Sequence, residues 1–149
     1  MVAHNSWAKV YDRAYKESFG AFYKELTECT LEVIKEEFSE CLKIIDFGAG
    51  TGRLSLPLSQ LGYKVTAVDA SEEMLKELQK KDIEKKINIK SAFMQHFTTD
   101  EHYDASLCVF SVIIYLTDEK SLNQALFNLK DCLYPGGLVL MDIPLPTAF

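Results

Sequence analysis

The stretch IIDFGAGTGR, residues Ile44 to Arg53, decides the fold. An apolar run ends in three glycines at alternate positions. Helical spacing then resumes at Leu54, Leu58 and Leu61, and Gly62 stops it. Strand, glycine turn and helix in that order predict the opening of a ligand-binding α/β unit, because glycine adopts φ values closed to other residues and lets backbone approach a ligand closely. The turn reads G-x-G-x-G. A dinucleotide fingerprint, G-x-G-x-x-G, would put its third glycine where Arg53 stands.

Outward from the turn, Lys64 to Val68 (KVTAV) reads as a β-branched second strand. Ser71 offers an N-cap, with Glu72 and Glu73 in the first turn where the helix dipole favours them, and Met74, Leu75 and Leu78 give that helix a buried face. Ile87 to Lys90 is a weaker third strand. Ala105 to Phe110 (ASLCVF) is a fully apolar fourth, with an extension towards Ile114 in view. Thr117 or Asp118 caps a helix whose inner face is Leu122, Ala125, Leu126, Leu129 and Leu133. Pro135-Gly136-Gly137 makes a turn, and Leu138 to Ile143 (LVLMDI) is the last strand. Upstream, apolar residues recur at helical spacing from Trp7 to Phe38, with Gly20 dividing two helices. Strands alternating with helices predict a parallel sheet covered on both faces, with its ligand at the carboxyl ends of the strands.

The 149 residues suffice for one domain with a proper core, and 48% hydrophobic with 26% charged residues is a globular balance. The expected division is an N-terminal helical segment over 1–40 and an α/β core over 41–149. A net charge of −6 and the lack of a basic stripe argue against nucleic acid as partner. Lys80, Lys81, Lys85 and Lys86 are interleaved with Asp82 and Glu84 and read as a solvated face. Cys29, Cys41, Cys108 and Cys132 form no CxxC pair; Cys108 and Cys132 fall on apolar stripes and read as small core residues, so a reducing, cytoplasmic compartment is expected. No metal site is expected. No apolar stretch approaches the roughly 18 residues of a membrane span, and the N-terminus lacks an apolar signal core.

Asp46, two residues ahead of the first glycine, narrows the ligand. A carboxylate there repels a diphosphate and favours a cofactor with a cationic end, which S-adenosylmethionine has in its sulfonium and α-ammonium. On this reading the turn N–H groups and the helix N-terminus receive the cofactor carboxylate, and Asp46 orients the ammonium. The alternative is that Asp46 hydrogen-bonds backbone N–H groups within the turn. Asp69 ends the second strand about twenty residues beyond the turn, the spacing of an acid that holds ribose hydroxyls. A helix cap is its other reading, weakened because Ser71 fits that role.

The segments DFGAGTGRLSLPLSQLGYKVTAVDASEEML, YDASLCVFSVIIYL and LKDCLYPGGLVLMD resemble a class I S-adenosylmethionine-dependent methyltransferase, over nearly everything after Leu42. The resemblance implies a Rossmann-like, doubly wound parallel sheet of about five strands in the order 3-2-1-4-5. CVFSVIIYL and VYDRAY are similar to amine-directed small-molecule enzymes. It also implies site roles. Gly48, Ala49, Gly50 and Gly52 line the methionyl half, Asp69 holds the ribose, and Ala70 and Met74 pack on adenine. The acid that the family usually sets after the third strand falls on Ala92 or Phe93 here, so Phe93 and Met94 are expected to read adenine by backbone and stacking. Phe110 and Ser111 border the sulfonium, and Tyr11 hydrogen-bonds the cofactor carboxylate from a helical lid, with helix packing the competing reading for Tyr15 and Tyr23.

Methyl transfer from a sulfonium asks the protein mainly for alignment. His96, His102 and Tyr115 are the residues that invite a catalytic reading, and none is assigned one. The expected partner is a small-molecule methyl acceptor, an amine being the acceptor that the resemblance favours, with S-adenosylhomocysteine as the other product. The sequence stops shortly after the fifth strand, where the family's final hairpin would follow. That leaves LVLMDI as an exposed edge, to be covered by a second copy in a homodimer or by the N-terminal helices. Two other functions stay open at this point: a cofactor-binding domain without activity, and a nucleotide-dependent oxidoreductase.

Overall fold

The computed structural model describes residues 4–38 and 43–143. Five strands, β1 (Lys43–Phe47), β2 (Lys64–Asp69), β3 (Asn88–Ser91), β4 (Tyr103–Cys108) and β5 (Leu133–Met141), form one sheet in the order β3-β2-β1-β4-β5. All four pairings are parallel. Ile44 lies opposite Val65 on one side and Ala105 on the other, so the strand order reverses at β1. The crevice that such a reversal opens lies at the carboxyl ends of β1 and β4. The start of β1 at Leu42 and the N-terminal boundary at residue 40 fall outside the described residues.

Alternation along the strands builds a core on each face. Ile44, Val65, Ala67 and Leu107 pack with Leu58, Leu75, Leu78, with Ile34 of the first helix and with Phe38 just beyond its end. Ile45, Phe47, Val68 and Cys108 pack on the other face with Met94, Ala125, Leu129 and Cys132. Cys108 and Cys132 are thus core residues, as their apolar stripes predict.

The helices are α1 (Tyr11–Glu37), α2 (Ser55–Gln60), α3 (Glu72–Lys81) and α4 (Glu119–Asp131). Gly20 breaks α1 with φ 49° and ψ −123°. Ser71 caps α3 through a 3.2 Å bond from Met74 N–H, and Asp118 caps α4 through a 2.9 Å bond from Ser121 N–H. Two local expectations give way. Leu126 points outward, and Asn128 is buried instead, its side-chain amide donating to the Met94 carbonyl at 2.7 Å. The fourth strand ends at Cys108 rather than running towards Ile114. Phe110 and Ser111 take φ values of 73° and 59°, and a 3₁₀ turn follows over Val112–Tyr115.

β5 begins earlier than expected. Its pairing jumps from Tyr103↔Leu133 to Ala105↔Leu138, so the Pro-Gly-Gly turn is a bulge within the strand. β5 is the sheet edge, and Leu138 and Val139 remain exposed there. Among the described residues the N-terminal helical segment leaves it exposed; α1 brings Tyr11, Tyr15 and Tyr23 to the crevice instead. Among the described residues no helix is long and apolar enough to cross a membrane.

Candidate functional site

A cavity of about 350 Å³ occupies the crevice, a size within the range of small-molecule sites. Its floor is the glycine turn. Gly48 has φ 74°, and a Cβ there would overlap the side chain of Val112. Gly52, at φ 90°, would overlap Leu78. Gly52 therefore serves the packing of the turn on α3, not the cavity wall. Gly50 also stands off the wall, its N–H donating to Asp69 Oδ2 at 2.8 Å.

The turn's hydrogen bonds correct one expectation. Gly48 and Ala49 donate to the Val68 carbonyl at 2.8 and 3.1 Å, and Gly52 donates to the Ala49 carbonyl at 2.9 Å. With Gly50 held by Asp69, the N–H groups of the four motif residues 48, 49, 50 and 52 are all spent inside the fold. Those four N–H groups are therefore not free to receive a ligand carboxylate. α2 is under two turns long, too short for an N-terminal anion site.

Asp46 lies on the cavity wall, 3% exposed. Its Oδ2 accepts the Ser55 hydroxyl at 2.6 Å, in place of the backbone N–H bonds that the alternative reading offered. Burial pushes its pKa up from 3.8 to about 6, against the opposing pull of Ser55 and the Arg53 charge. Asp69 closes β2 with one oxygen on Gly50 N–H and the other on Ser71 N–H at 2.7 Å. Burial raises its pKa, opposed by those N–H bonds and by His4.

The aromatic side of the cavity comes from the N-terminal segment. Tyr11 stacks on Tyr15 at 4.3 Å, and burial, then Tyr15, raises its pKa. His4 Nε2 is 2.8 Å from the Tyr115 hydroxyl, and burial holds the His4 pKa below its ordinary range. His4 Nδ1 is buried with no partner among the described residues. Two side-chain links hold this segment in place. Ser71 donates to Asn5 Oδ1 at 2.5 Å. Asp12 accepts the Thr51 hydroxyl at 2.5 Å and pairs with Lys81.

Ala70, Met74, Phe93 and Met94 line the far wall as expected, joined by Ala92 and Gln95. Phe110 lines the near wall, and Ser111 does not. The N–H groups of Phe110 and Ser111 both donate to the Asp142 carboxylate at 2.6 Å. That clamp explains two consecutive left-handed non-glycine residues. His96 and His102 are exposed and do not line the cavity; the former lies against Phe93 and the latter stacks on Tyr134.

Sequence reasoning passed over His4, Thr51, Arg53 and Gln95 as lining residues. His4 and Gln95 sit in no motif. Arg53 was visible inside the glycine motif, yet only as a departure from the dinucleotide pattern. In the fold its guanidinium carbon lies 4.0 Å from the Phe110 ring centroid and 5.4 Å from that of Tyr23. One nitrogen donates to the Thr27 hydroxyl at 2.9 Å.

Residues 44–137 match the profile of a family described as a methyltransferase domain. The chain is 28% identical over 150 residues to the ubiquinone biosynthesis O-methyltransferase of Rickettsia typhi, covering 95% of this chain and 56% of that protein. Among solved structures, SAM-bound CalS10, an amino pentose methyltransferase from Micromonospora echinaspora, matches with a TM-score of 0.79 at 20% identity, over 94% of this chain and 58% of the other. DesVI of Streptomyces venezuelae matches with a TM-score of 0.78 at 24% identity, over 95% and 59%. The chain thus spans a little over half the length of these relatives. The oxidoreductase reading falls with the family match.

Proposed function

The chain belongs to the class I S-adenosylmethionine-dependent methyltransferase family, and from that premise we propose that its cavity binds S-adenosylmethionine and that it methylates a small amine entering at the cavity mouth. The observation that carries this reading is the charge of the cavity wall. Its acidic and basic lining residues are Asp46, Asp69 and Arg53, a net charge of −1 when all are ionised. S-adenosylmethionine, with sulfonium, ammonium and carboxylate, is a +1 ligand and neutralises that wall. A dinucleotide would add its diphosphate to an already negative surface.

The residues present fit the cofactor part by part. Asp46 meets the ammonium. Asp69 keeps unused lone pairs on both oxygens for the ribose hydroxyls, and the unpartnered His4 Nδ1 lies on the same wall. Ala70, Met74 and Phe93 give apolar faces for adenine, and the Gln95 amide, donor and acceptor at once, stands in for the missing acid. Phe110, Tyr15 and Tyr23 wall off the inner end from water. Once bound, the sulfonium supplies a methyl group activated for in-line displacement. Tyr11 and Tyr115 border the same space and restrict the angle of approach.

The preference for an amine rests on what the wall lacks. A hydroxyl acceptor needs a base at the moment of attack. Both carboxylates are already engaged. Assigning the Tyr115 hydroxyl as donor to His4 Nε2 puts the imidazole proton on Nδ1, which makes that nitrogen a donor and not a base. A neutral amine brings its own lone pair.

Titration calorimetry of the full chain with S-adenosylmethionine, S-adenosylhomocysteine and NAD tests the cofactor. Labelled-methyl transfer to matched panels of small amines and small alcohols tests the acceptor. Binding of the first two ligands and label in the amines are expected. Binding of NAD alone overturns the reading, label only in alcohols overturns the amine, and binding without any transfer reduces the chain to a donor-binding domain.

A further inference from the structure

The cavity divides its polar and apolar side chains unevenly. In the reading above Asp46 and Asp69 are taken up by the donor. Arg53 packs on Phe110 and Tyr23 at the inner end, and His4 spends Nε2 on Tyr115. Away from the adenine wall, the side chains that line the cavity and still reach solvent include Tyr11, Tyr15, Val112, Tyr115 and Leu116. None of these five has a carboxylate, an ammonium or an amide. An acceptor at this mouth meets rings and aliphatic carbon.

The turn after β4 sharpens this. Residues 112–116 read VIIYL, and the phenol hydroxyl is the single polar side-chain group in the run. Exposed turns ordinarily draw on Gly, Pro, Asn, Asp and Ser. Ile113 is core, but Ile114 and Tyr115 are 47% and 55% exposed. Phe19, also half-exposed, abuts Tyr15 with ring centroids 5.3 Å apart. Exposed apolar side chains gathered at the rim of a cavity mark a ligand-contact surface. Tyr115 is moreover held in place. Its hydroxyl is 2.8 Å from His4 Nε2 and the two rings meet at 88°, so the phenol turns its edge to the imidazole. His4 is braced in turn against Trp7 and Tyr11. Among the described residues His4 is the one ring contact of Tyr115, which leaves the faces of the phenol ring free of other rings. A ring fixed before binding loses little freedom when a flat ligand stacks on it, and aromatic pairs add to the gain from burial alone.

Resting on the proposed function, we propose that the acceptor amine carries an aryl ring, which lies on Tyr115 and against the apolar turn over residues 112–116, so that Tyr115 decides which amines are accepted. An amino sugar would give up hydroxyl hydration for a surface with few polar partners. The carboxylate of an amino acid would meet no cationic side chain among the five mouth residues. An arylalkylamine matches the rim on both counts, with its one polar group at the end that enters.

Phenethylamine, cyclohexylethylamine and glucosamine separate these cases, because the first two differ in the flatness of the ring and the third replaces it with a sugar. Calorimetric titration of the full chain saturated with S-adenosylhomocysteine gives their affinities, and labelled-methyl transfer from S-adenosylmethionine gives kcat/KM for the same three. Phenethylamine is expected to bind about 10- to 100-fold more tightly than glucosamine, from burial of the ring. It is expected to bind about 2- to 10-fold more tightly than cyclohexylethylamine, from the ring pair, with the same order in transfer. Tyr115→Phe keeps the preference for the aryl over the cyclohexyl amine, and Tyr115→Leu, apolar but without a ring, loses it. Glucosamine bound as well as phenethylamine overturns the acceptor class. Equal affinities for the aryl and cyclohexyl amines, an aryl preference that survives in Tyr115→Leu, or one that both variants lose alike overturns Tyr115 as the platform. These outcomes leave the proposed function standing. A chain that binds no S-adenosylhomocysteine, or that labels none of the three amines, refutes that function and this assignment with it.

Discussion

Asp46→Asn should make the ligand-free chain more stable while it weakens the site. The buried carboxyl has its pKa pushed from 3.8 to about 6. Its ionised form is therefore less favourable in the folded chain than in the unfolded chain. Two pKa units correspond to about 3 kcal/mol, an upper figure for the destabilisation at pH values well above 6. The sign follows from proton binding. Between pH 3.8 and 6 the folded chain holds this proton and the unfolded chain releases it, so the penalty shrinks as pH falls through 6 and is gone below 3.8. Asparagine removes the charge and keeps an oxygen that can accept the Ser55 hydroxyl. Urea unfolding without ligand at pH 8 should then show the variant more stable by about 1–3 kcal/mol, or roughly 2–12 °C in Tm for a chain of this size. At pH 4.5 the gap should be small. Calorimetry at pH 8 should show the methyl donor bound more weakly by the variant. A variant less stable than wild type at pH 8, or a gap that does not change with pH, would refute the reasoning.

Asp142→Ala removes the acceptor for the Phe110 and Ser111 N–H groups and leaves two left-handed residues unsupported. A loss of about 2–4 kcal/mol in urea unfolding is expected, and a loss below about 0.5 kcal/mol would show that the clamp is idle. Gly52→Ala meets Leu78 and Leu56 at φ 90°; it should cost about 1–3 kcal/mol, read from the thermal midpoint, with neutrality as the contrary result. Tyr115→Phe breaks the hydrogen bond that joins His4 to the loop after β4. Stopped-flow fluorescence of Trp7, 5.1 Å from His4, should report donor release about 3- to 10-fold faster, and an unchanged rate would count against a latch.

Much of the fold was legible because its signals are local. Asp46 and Asp69 drew notice because an acid beside a glycine turn, and another twenty residues on, have few reasons to be there. The caps at Ser71 and Asp118 follow from the reach of a short side chain to an N–H three residues on. Other features were misread for want of context. Leu126 has helical spacing as good as that of Ala125, yet Asn128 takes the interior because the Met94 carbonyl needs a donor. The strand expected to continue past Phe110 breaks there, held by an acid 31 and 32 residues away.

From the sequence by itself came the alternation of strands and helices, the glycine turn and the acid that ends β2. Each is a matter of spacing between near neighbours. Only the tertiary structure decided that His4 meets Tyr115 across 111 residues, that the N–H groups of Gly48, Ala49, Gly50 and Gly52 are consumed internally, and that Arg53 sits beside two aromatic rings with no acid paired to it among the described residues. Hydrogen-bond supply and desolvation depend on which distant segments fold together, and no local period in the chain encodes them.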